Sequence, residues 1–257
     1  MTLGPYEICI PVKNESELIS WTLDSINNQS HPPYKINICL NGTTDDTREV
    51  IEQYADSKVH IVESKPGKAN AWNKLFYETS SLEQLLFCDG DVKLSPNAAE
   101  KIFEKLEEKP NLAIVGGGIS FISSNPNSLF SRFFTEDISG NKVVGTAEIS
   151  GGLYGISRSN LIQISEGKKL PLIPSYIINE DGYLSQLADE EKVILPEASF
   201  TVYQAHNFID WFKRTNRIMK GQIQLKKDFP EIFTDSEIGR SRIENYKSRL
   251  TEVESNL

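Results

Sequence analysis

Two carboxylates stand one residue apart directly after an apolar run, in the segment Asp89-Gly90-Asp91. The four residues before them (85–88) are all apolar, which is typical of a strand buried on both faces of a parallel sheet. Polar chemistry in such sheets lies at the carboxyl ends of the strands, and Gly90 lets the chain turn so that both carboxylates can reach one point. Two such oxygen ligands suit Mg²⁺ or Mn²⁺, with a substrate phosphate completing the coordination shell. The alternative is a polar turn without chemistry, because Asp and Gly are favoured in turns.

A second pair of carboxylates, Glu180-Asp181, follows the apolar residues 177–178 and a potential helix cap at Asn179. Adjacent carboxylates repel each other when both are charged, which favours a proton on one of them and suits a general base. The alternative is that the two acids only stabilise the N-terminus of a helix electrostatically. The sequence thus contains one candidate metal site and one candidate proton acceptor.

The composition is that of a soluble globular protein with an acidic balance. The chain has 257 residues, of which 25% are charged and 39% hydrophobic, and its formal net charge is -9. This charge argues against a general nucleic-acid binder, and the sequence has neither an apolar run of membrane-spanning length nor a basic-then-apolar leader. We therefore expect a cytoplasmic protein. Cys9, Cys39 and Cys88 lie in apolar runs without metal-like spacing, so we expect reduced thiols in the core.

Short apolar runs alternate with amphipathic stretches through the first 115 residues, which predicts a parallel, doubly wound sheet with right-handed crossovers. Polar or Gly-containing sequence follows each run, so the strand ends should line one crevice. The absence of a G-x-G-x-x-G turn and of a Walker loop gives no support to either kind of nucleotide site. The predicted strands are 6–12, 36–40, 59–62, 85–88 and 112–115, the last ended by Gly116-Gly117-Gly118, and the predicted helices include 69–77 and 97–108.

The second half of the chain is less regular. Residues 119–145 lack periodicity and predict a long surface segment of the kind that often forms a lid. Glycines in the strand-like stretch 146–157 indicate close approach of another backbone or of a ligand. A helix at 183–188 and late strands at 193–195 and 199–203 follow.

Residues 206–227 mix aromatic and basic side chains and predict an amphipathic helix or a helix pair. Six Lys and Arg residues in this stretch stand against Asp210 alone. One hypothesis is a peripheral contact with an anionic membrane, which would bring the candidate site to a lipid-linked acceptor. The alternative is a helix that closes the site. The charged tail from residue 236 predicts a further helix.

Seven short motifs stand in an order that resembles family 2 glycosyltransferases with the GT-A fold, over about residues 6–221. They are Ile10-Pro11-Val12-Lys13-Asn14-Glu15, Asn41-Gly42-Thr43-Thr44-Asp45-Asp46-Thr47, Gly67-Lys68-Ala69-Asn70-Ala71-Trp72-Asn73, Asp89-Gly90-Asp91, Gly151-Gly152, Glu180-Asp181 and Arg214-Thr215-Asn216-Arg217-Ile218-Met219-Lys220-Gly221. The resemblance implies an α/β fold of GT-A type, with a Rossmann-like, mostly parallel sheet flanked by helices and a C-terminal helical segment. It also implies a glycosyltransferase domain at 1–205, with a nucleotide-binding half at 1–117 and an acceptor half at 118–205, and a helical extension at 206–257 packed on that domain.

The resemblance further implies a metal-dependent, inverting transferase. It would move a single sugar from a nucleotide-diphosphate sugar, with UDP-sugars favoured, to a hydroxyl of a saccharide or lipid-linked acceptor, in surface polysaccharide or glycoconjugate synthesis. Asp181 would be the general base, with Glu180 positioning it or binding the acceptor, and Asp91 and Asp89 would hold Mn²⁺ or Mg²⁺. His206 is either a third metal ligand or a surface or packed histidine.

A larger set of residues would bind the nucleotide sugar if the resemblance holds. The set is Pro11, Lys13, Glu15, Asn41, Lys68, Asn73, Asp89, Gly90, Gly151, Gly152, Arg214 and Arg217. Arg214 and Arg217 would contact phosphate, or else belong to a solvated helix face. Gly151 and Gly152 would leave room for donor and acceptor, or else mark a kink in a strand.

Two departures from the family pattern bear on the donor and on the alternatives. Leu40 and Asn41 stand where an acidic pair usually follows the second strand, which leaves the nucleotide base open, and Ile218 stands where Trp is usual. A sugar nucleotidyltransferase would carry a Gly-rich, Arg- and Lys-containing loop after the first strand, and Lys13-Asn14-Glu15 does not supply one. The other alternative is a non-catalytic, nucleotide-binding partner subunit, against which the two acidic motifs argue.

Overall fold

An eight-stranded sheet forms the centre of the computed structural model, which describes residues 3–123, 148–203 and 207–233. The strands are β1 (Tyr6–Val12), β2 (Lys35–Leu40), β3 (Val59–Glu63), β4 (Gln84–Cys88), β5 (Val92–Leu94), β6 (Ile114–Ile122), β7 (Leu153–Ser157) and β8 (Lys192–Tyr203). Their spatial order is β3-β2-β1-β4-β7-β6-β8-β5. The first four strands pair in parallel, so their carboxyl ends meet at one edge of the sheet.

Helices flank this sheet. They are α1 (Ile19–Asn27), α2 (Thr47–Glu52), α3 (Lys68–Asn73), α4 (Ala98–Glu108), α5 (Arg158–Lys168), α6 (Glu180–Leu187) and α7 (Phe208–Asp228), and α3 continues into a π-helical turn at Lys74–Thr79. Within the described ranges, none of these helices has both the length and the apolar composition that a membrane span requires.

The sheet is mostly parallel, but two of its strands run the other way. β7 is antiparallel to both of its neighbours, β4 and β6, and the short edge strand β5 is antiparallel to β8. The prediction of parallel strands concerned the first 115 residues and did not assign a direction to β7, because the apolar pattern of a buried strand does not reveal its direction. The expected α/β architecture, a mostly parallel sheet flanked by helices with a C-terminal helix, is confirmed.

Successive residues of β1 and β4 point to opposite faces of the sheet and enter two hydrophobic clusters. Ile8 and Leu86 pack with α1 and α4 on one face, whereas Cys9 and Phe87 pack with α3 on the other. Trp72 of α3 stacks on Phe87, with ring centroids 4.9 Å apart. Because both faces are covered, each of these strands is apolar at every position but one. All three cysteines are buried and free, which confirms the prediction of core thiols.

Glycines extend β6 instead of ending it. A Cβ at Gly116 would lie 2.6 Å from Ile194 Cδ1, and one at Gly117 would lie 2.5 Å from the carbonyl oxygen of Ala198. The bare backbone therefore lets β8 approach closely. β6 runs on to Ile122, so the predicted surface segment is wrong for residues 119–122, and its part from residue 124 lies outside the described ranges.

Other elements also differ from the prediction. β8 is one strand with a register shift opposite the glycines of β6, where two strands were expected. α5 and β5 were not predicted, because α5 begins directly after β7 and β5 has only three residues. α7 is a single helix that packs on the start of α6, where a Cβ at Gly221 would lie 2.5 Å from Asn179 Cβ. The helix expected from residue 236 lies outside the described ranges.

Candidate functional site

One lysine links the two acidic motifs of the sequence. The Nζ of Lys68, at the first position of α3, lies 2.7 Å from Asp89 Oδ1 and 2.6 Å from Glu180 Oε1. Asp89 directly follows β4, and Glu180 is the first residue of α6. The side chain of Glu180 is 7% exposed and that of Lys68 is 28% exposed. Water screens these ion pairs less than it screens surface pairs, so they hold three distant segments of chain together.

A glycine occupies the centre of this cluster. A Cβ at Gly151 would lie 2.9 Å from Lys68 Nζ, 3.2 Å from Asp181 Oδ2 and 3.5 Å from Asp89 Oδ2. The end of β4 and the start of α6 therefore direct their carboxylates into one space, which the absence of a side chain at Gly151 keeps open. An ion or substrate in this space would contact both acidic motifs at once.

Backbone hydrogen bonds fix the orientation of Asp181. The N–H of Gly151 donates to Asp181 Oδ2 and the N–H of Gly182 donates to Asp181 Oδ1, each at 2.8 Å. The side chain lies half-buried in the first turn of α6. Each oxygen keeps a lone pair for a further donor, so the carboxylate is held in place and can still accept a proton.

The ion pairs dominate the electrostatics of Lys68 and Glu180. Burial works against the Lys68 ammonium, but Asp89, Glu180 and Asp181 outweigh it and hold the pKa of Lys68 well above its ordinary value. Burial raises the pKa of Glu180, with Asp181 adding to the rise and Lys68 opposing it. The lysine is therefore a permanent positive charge between the two motifs.

The space beside Gly90 has an excess of negative charge. Burial and the neighbouring Asp91 and Asp89 carboxylates together raise the pKa of Glu15 to about 8. Burial and Asp89 also raise the pKa of Asp91, against the opposing charges of Arg214 and Lys68. Carboxyl groups whose pKa values are raised by burial and by neighbouring carboxylates are stabilised in their charged form when a cation binds beside them.

These residues fit a divalent cation that arrives together with a diphosphate. In the part of the chain that the structure describes, no three His, Cys, Asp or Glu side chains are arranged to hold a metal by themselves. Mg²⁺ is usually held by one or two carboxylates plus substrate phosphates and water, and Asp89 with Asp91 provides that number. His206, the third ligand considered from the sequence, lies outside the described residues.

The loops after β1 and β2 are joined by a network that the sequence reasoning missed. Asp45 accepts hydrogen bonds from the N–H groups of Ser16 and Thr47, both at 3.2 Å, and Thr47 Oγ1 accepts from the Glu15 N–H at 2.8 Å. The signal in the sequence was an Asp two residues before Thr in a turn, which favours an Asx-turn. The network holds Glu15 in position beside Asp91.

Four other predicted site residues differ in their burial and in their hydrogen bonds. Asn41 is buried and donates to the Val12 carbonyl at 3.0 Å, which ties the end of β2 to the end of β1. Pro11 is buried in β1, whereas Lys13 is exposed after it. Asn73 donates to the carbonyl of Ile173 at 2.9 Å.

In two predicted pairs of site residues, the two members have different roles in the structure. Gly152 makes room for packing and not for the cluster, because a Cβ there would lie 2.0 Å from Phe200 Cε2. Arg214 and Arg217 are both exposed, but only Arg214 is among the charges that most affect Asp91. Gly151 and Arg214 are thus the members of each pair that face the acidic motifs.

The comparisons with known proteins agree with this architecture. The model of glycosyl transferase family 2 matches residues 7–164. Glycosyltransferase AglE of Haloferax volcanii is 25% identical over 87% of this chain and 75% of its own length. The poly-beta-1,6-N-acetyl-D-glucosamine synthase of Staphylococcus epidermidis is 28% identical over 55% of this chain, which matches only 34% of the synthase.

A solved structure has the same fold. The mannosyltransferase PcManGT from Pyrobaculum calidifontis, in complex with GDP-Man and Mn2+, matches with a TM-score of 0.63 over 87% of this chain and 64% of that chain. Its sequence identity is 17%, so the likeness concerns the fold alone. Because the family model covers more than half of the residues, this chain belongs to glycosyl transferase family 2 and is a glycosyltransferase of the GT-A fold.

Proposed function

We propose that this enzyme transfers a single sugar from a nucleoside diphosphate sugar to an acceptor hydroxyl, with inversion at the anomeric carbon. The observation that carries the proposal is the convergence of Lys68, Asp89 and Asp181 on the space beside Gly151. A single displacement needs a base on one side of the anomeric carbon and positive charge at the diphosphate on the other side. The two acidic motifs, with the lysine between them, meet both needs.

Asp181 is the general base of the proposed reaction. The acceptor hydroxyl donates its proton to a free lone pair of Asp181 while its oxygen bonds to the anomeric carbon. The bond between the anomeric carbon and the diphosphate oxygen breaks, and its electron pair leaves with the diphosphate. The hydrogen bonds from Gly151 and Gly182 keep the carboxylate directed at the acceptor, and general-base catalysis of this kind contributes roughly 10²- to 10⁴-fold.

Lys68 and Arg214 stabilise the leaving diphosphate. Asp89 and Asp91 would hold Mn²⁺ or Mg²⁺, which would supply further positive charge for the departing phosphate oxygens. Lys68 and Arg214 donate charge-assisted hydrogen bonds to the same group. The Mn2+ in the GDP-Man complex of PcManGT supports metal use by analogy of fold.

Glu180 acts through Lys68 in this proposal. Its carboxylate is buried and lies 2.6 Å from Lys68 Nζ, so it has little surface left for an acceptor. It holds the lysine where donor phosphates meet the acid pair. We therefore assign Glu180 as a positioning residue, in place of the acceptor contact that the family resemblance left open.

The division of the chain follows from the same proposal. Residues 1–117 would form the nucleotide-binding half and 118–205 the acceptor half, and α7 is the described part of the predicted extension at 206–257. Pro11, Lys13, Glu15, Asn41 and Asn73 line the nucleotide side, with Gly90. Synthesis of a surface polysaccharide or glycoconjugate at the cytoplasmic side is the proposed setting, supported by the name of the Staphylococcus epidermidis relative.

A panel of donors tests the proposed activity. UDP- and GDP-sugars are incubated with the protein and Mn²⁺ or Mg²⁺, and released nucleoside diphosphate is measured with and without saccharide acceptors. We expect release from one nucleotide class, and its loss in Asp91→Ala. Donor hydrolysis that survives unchanged in Asp91→Ala would contradict the mechanism. Pyrophosphate release from a nucleoside triphosphate and a sugar phosphate would indicate a nucleotidyltransferase, and binding without turnover would indicate a non-catalytic subunit.

A further inference from the structure

One side of α7 exposes large apolar residues among lysines. Ile209 and Ile223 are each 63% exposed and Phe212 is 47% exposed. A helix turns by about 100° per residue, so these three residues fall within one sector of about 100° together with three lysines. We call this sector the outer face of α7, and besides Asn216 its members are Ile209, Phe212, Lys213, Lys220, Ile223 and Lys227.

The opposite side of α7 is occupied by the enzyme itself. Thr215, Gly221 and Leu225 are its buried residues. A Cβ at Gly182 in α6 would lie 3.4 Å from Leu225 Cδ1, and Gly221 packs against Asn179, which precedes the acid pair. The outer face therefore lies across the helix from the segment that carries Asp181.

The charge of α7 is opposite to that of the chain as a whole. Between Asp210 and Asp228 the helix has six basic residues and no acidic one, whereas the whole chain has a net charge of -9. Such a concentration of positive charge attracts anionic surfaces. Lysine is depleted at the core of protein–protein interfaces, so the mixture of lysines with Ile and Phe is a poor fit to a second copy of the chain.

We propose that the outer face of α7 docks on an anionic lipid bilayer. Ile209, Phe212 and Ile223 insert at the boundary between headgroups and acyl chains, while the lysines extend their stems along the apolar surface to reach lipid phosphates. The attraction is electrostatic and local, because the Debye length is about 8 Å at physiological ionic strength.

This docking would fix where the enzyme meets its acceptor, a consequence that rests on the proposed function. A helix with its side chains is roughly 10–12 Å across, so the start of α6 would stand about one helix diameter above the lipid surface. That distance suits an acceptor sugar linked to a lipid through a phosphate, with Asp181 reaching the sugar and the lipid remaining in the bilayer.

Vesicle co-sedimentation of the full chain tests the docking without any enzymatic readout. Phosphatidylcholine vesicles, with and without phosphatidylglycerol, are mixed with the protein at about 0.05 M salt and pelleted. We expect binding to the anionic vesicles only, and release at about 0.5 M salt, where charge attraction is screened. Equal retention by both kinds of vesicle, or by neither, would overturn the proposal.

Variants on the outer face make the test specific. The triple variant Lys213→Gln, Lys220→Gln, Lys227→Gln should weaken anionic vesicle binding on the order of 100-fold, and the triple variant Ile209→Ser, Phe212→Ser, Ile223→Ser should also weaken it, because the apolar insertion is lost. Matched controls elsewhere on the surface, Lys58→Gln, Lys65→Gln, Lys168→Gln and separately Tyr34→Ser, Tyr77→Ser, should bind like the wild type. Binding by the outer-face variants that equals the wild type would contradict the proposal.

Two further readouts separate this proposal from others. Sedimentation equilibrium that finds a wild-type dimer and monomeric outer-face variants would give the face to a second copy and overturn the bilayer. Donor hydrolysis in vesicle-free solution should be unchanged in these variants, since none of their substitutions lies in the proposed site. If no protein hydrolyses any donor, the proposed function fails while the vesicle result still stands.

Discussion

At the scale of single residues, a substitution at Gly151 gives a specific prediction, because Lys68, Asp181 and Asp89 surround the position that a Cβ would occupy. In Gly151→Ala the new methyl group would lie 2.9 Å from Lys68 Nζ and 3.2 Å from Asp181 Oδ2. The lysine is held by two carboxylates and cannot simply move aside, so Asp181 shifts instead. We expect kcat to fall by about 10- to 100-fold, since displacements near 1 Å can cost that much, with the fold retained by circular dichroism.

Gly167 provides the matched control for that substitution. It lies in α5 with no atom within 4 Å of its missing Cβ. Gly167→Ala should leave transfer unchanged and raise stability by up to about 1 kcal/mol, because Ala is the better helix former. Turnover by Gly151→Ala equal to that of Gly167→Ala would show that the space beside Gly151 is not used.

The assignment of Glu180 as a positioning residue predicts coupling with Lys68. If Glu180 works by holding the lysine, then Glu180→Gln weakens donor binding, and adding it to Lys68→Met costs little more. The coupling energy for the donor Kd should be roughly 1–3 kcal/mol, measured by titration calorimetry without acceptor. The exposed pair Lys74 and Glu78 on the following turn should show almost none. An unchanged donor Kd with a raised acceptor KM in Glu180→Gln would return Glu180 to an acceptor role.

Residue types and order were enough to identify most of this site, but not its internal contacts. Asp89, Glu180 and Lys68 were each singled out by their motifs, yet nothing in the sequence indicates that the lysine bridges the two acids. That contact depends on how α3, β4 and α6 pack together in the fold. More than 90 residues of chain separate β4 from α6. Gly152 was predicted as a site residue, but the structure explains this glycine by packing alone, because a side chain there would collide with Phe200 of β8.

At the scale of elements, the joint between the loops after β1 and β2 predicts a pH dependence of stability. Although burial opposes it, hydrogen bonds from Thr47 and Ser16 lower the pKa of Asp45 to about 2, below its ordinary value of 3.8. A carboxyl group whose pKa is lower in the native state stabilises the fold above its unfolded pKa. That contribution is lost as the pH falls from about 4 towards 2.

Asp45→Asn should therefore be less stable than the wild type at pH 7, and the difference should shrink as the pH falls towards 3. Urea unfolding at a series of pH values measures this difference. Asp46→Asn, at the exposed neighbouring position, is the control and should differ little in stability from the wild type at pH 7. A gap between Asp45→Asn and the wild type that widens in acid would contradict the hydrogen-bond account.

The elements themselves were predictable where both faces of a strand are buried. β1 was predicted at its observed bounds, Tyr6–Val12, because a strand covered on both sides is apolar at nearly every position, and Glu7 is the exception here. The prediction ended β6 at its glycines. In the structure these glycines allow the close approach of Ile194 and Ala198 of β8, which the local sequence does not indicate. The antiparallel direction of β7 could not be read, because it depends on where the chain returns to the sheet and not on local composition.

At the scale of the whole molecule, ligand binding at the site should stabilise the folded state. A ligand at 100 times its Kd stabilises the native state by about 2.7 kcal/mol, which for a chain of this size raises Tm by about 5–10 °C. We expect such a shift from the matching nucleoside diphosphate with Mn²⁺ or Mg²⁺, measured by differential scanning fluorimetry. Asp91→Asn should lose the metal-dependent part of the shift and keep the rest. An equal metal-dependent shift in Asp91→Asn would remove that residue from the metal site.

The central claim is that Asp181 takes the acceptor's proton, while Lys68 and a metal that Asp89 and Asp91 would hold stabilise the departing diphosphate. Transfer by Asp181→Asn tests this claim most directly, because Asn is nearly isosteric with Asp and cannot act as the base. With donor and acceptor identified from the panel, kcat of Asp181→Asn should fall by about 10³-fold or more, while the donor Kd stays within about threefold of the wild type. A variant that transfers sugar within about tenfold of the wild-type rate would show that Asp181 is not the base, and the account of this site would be wrong.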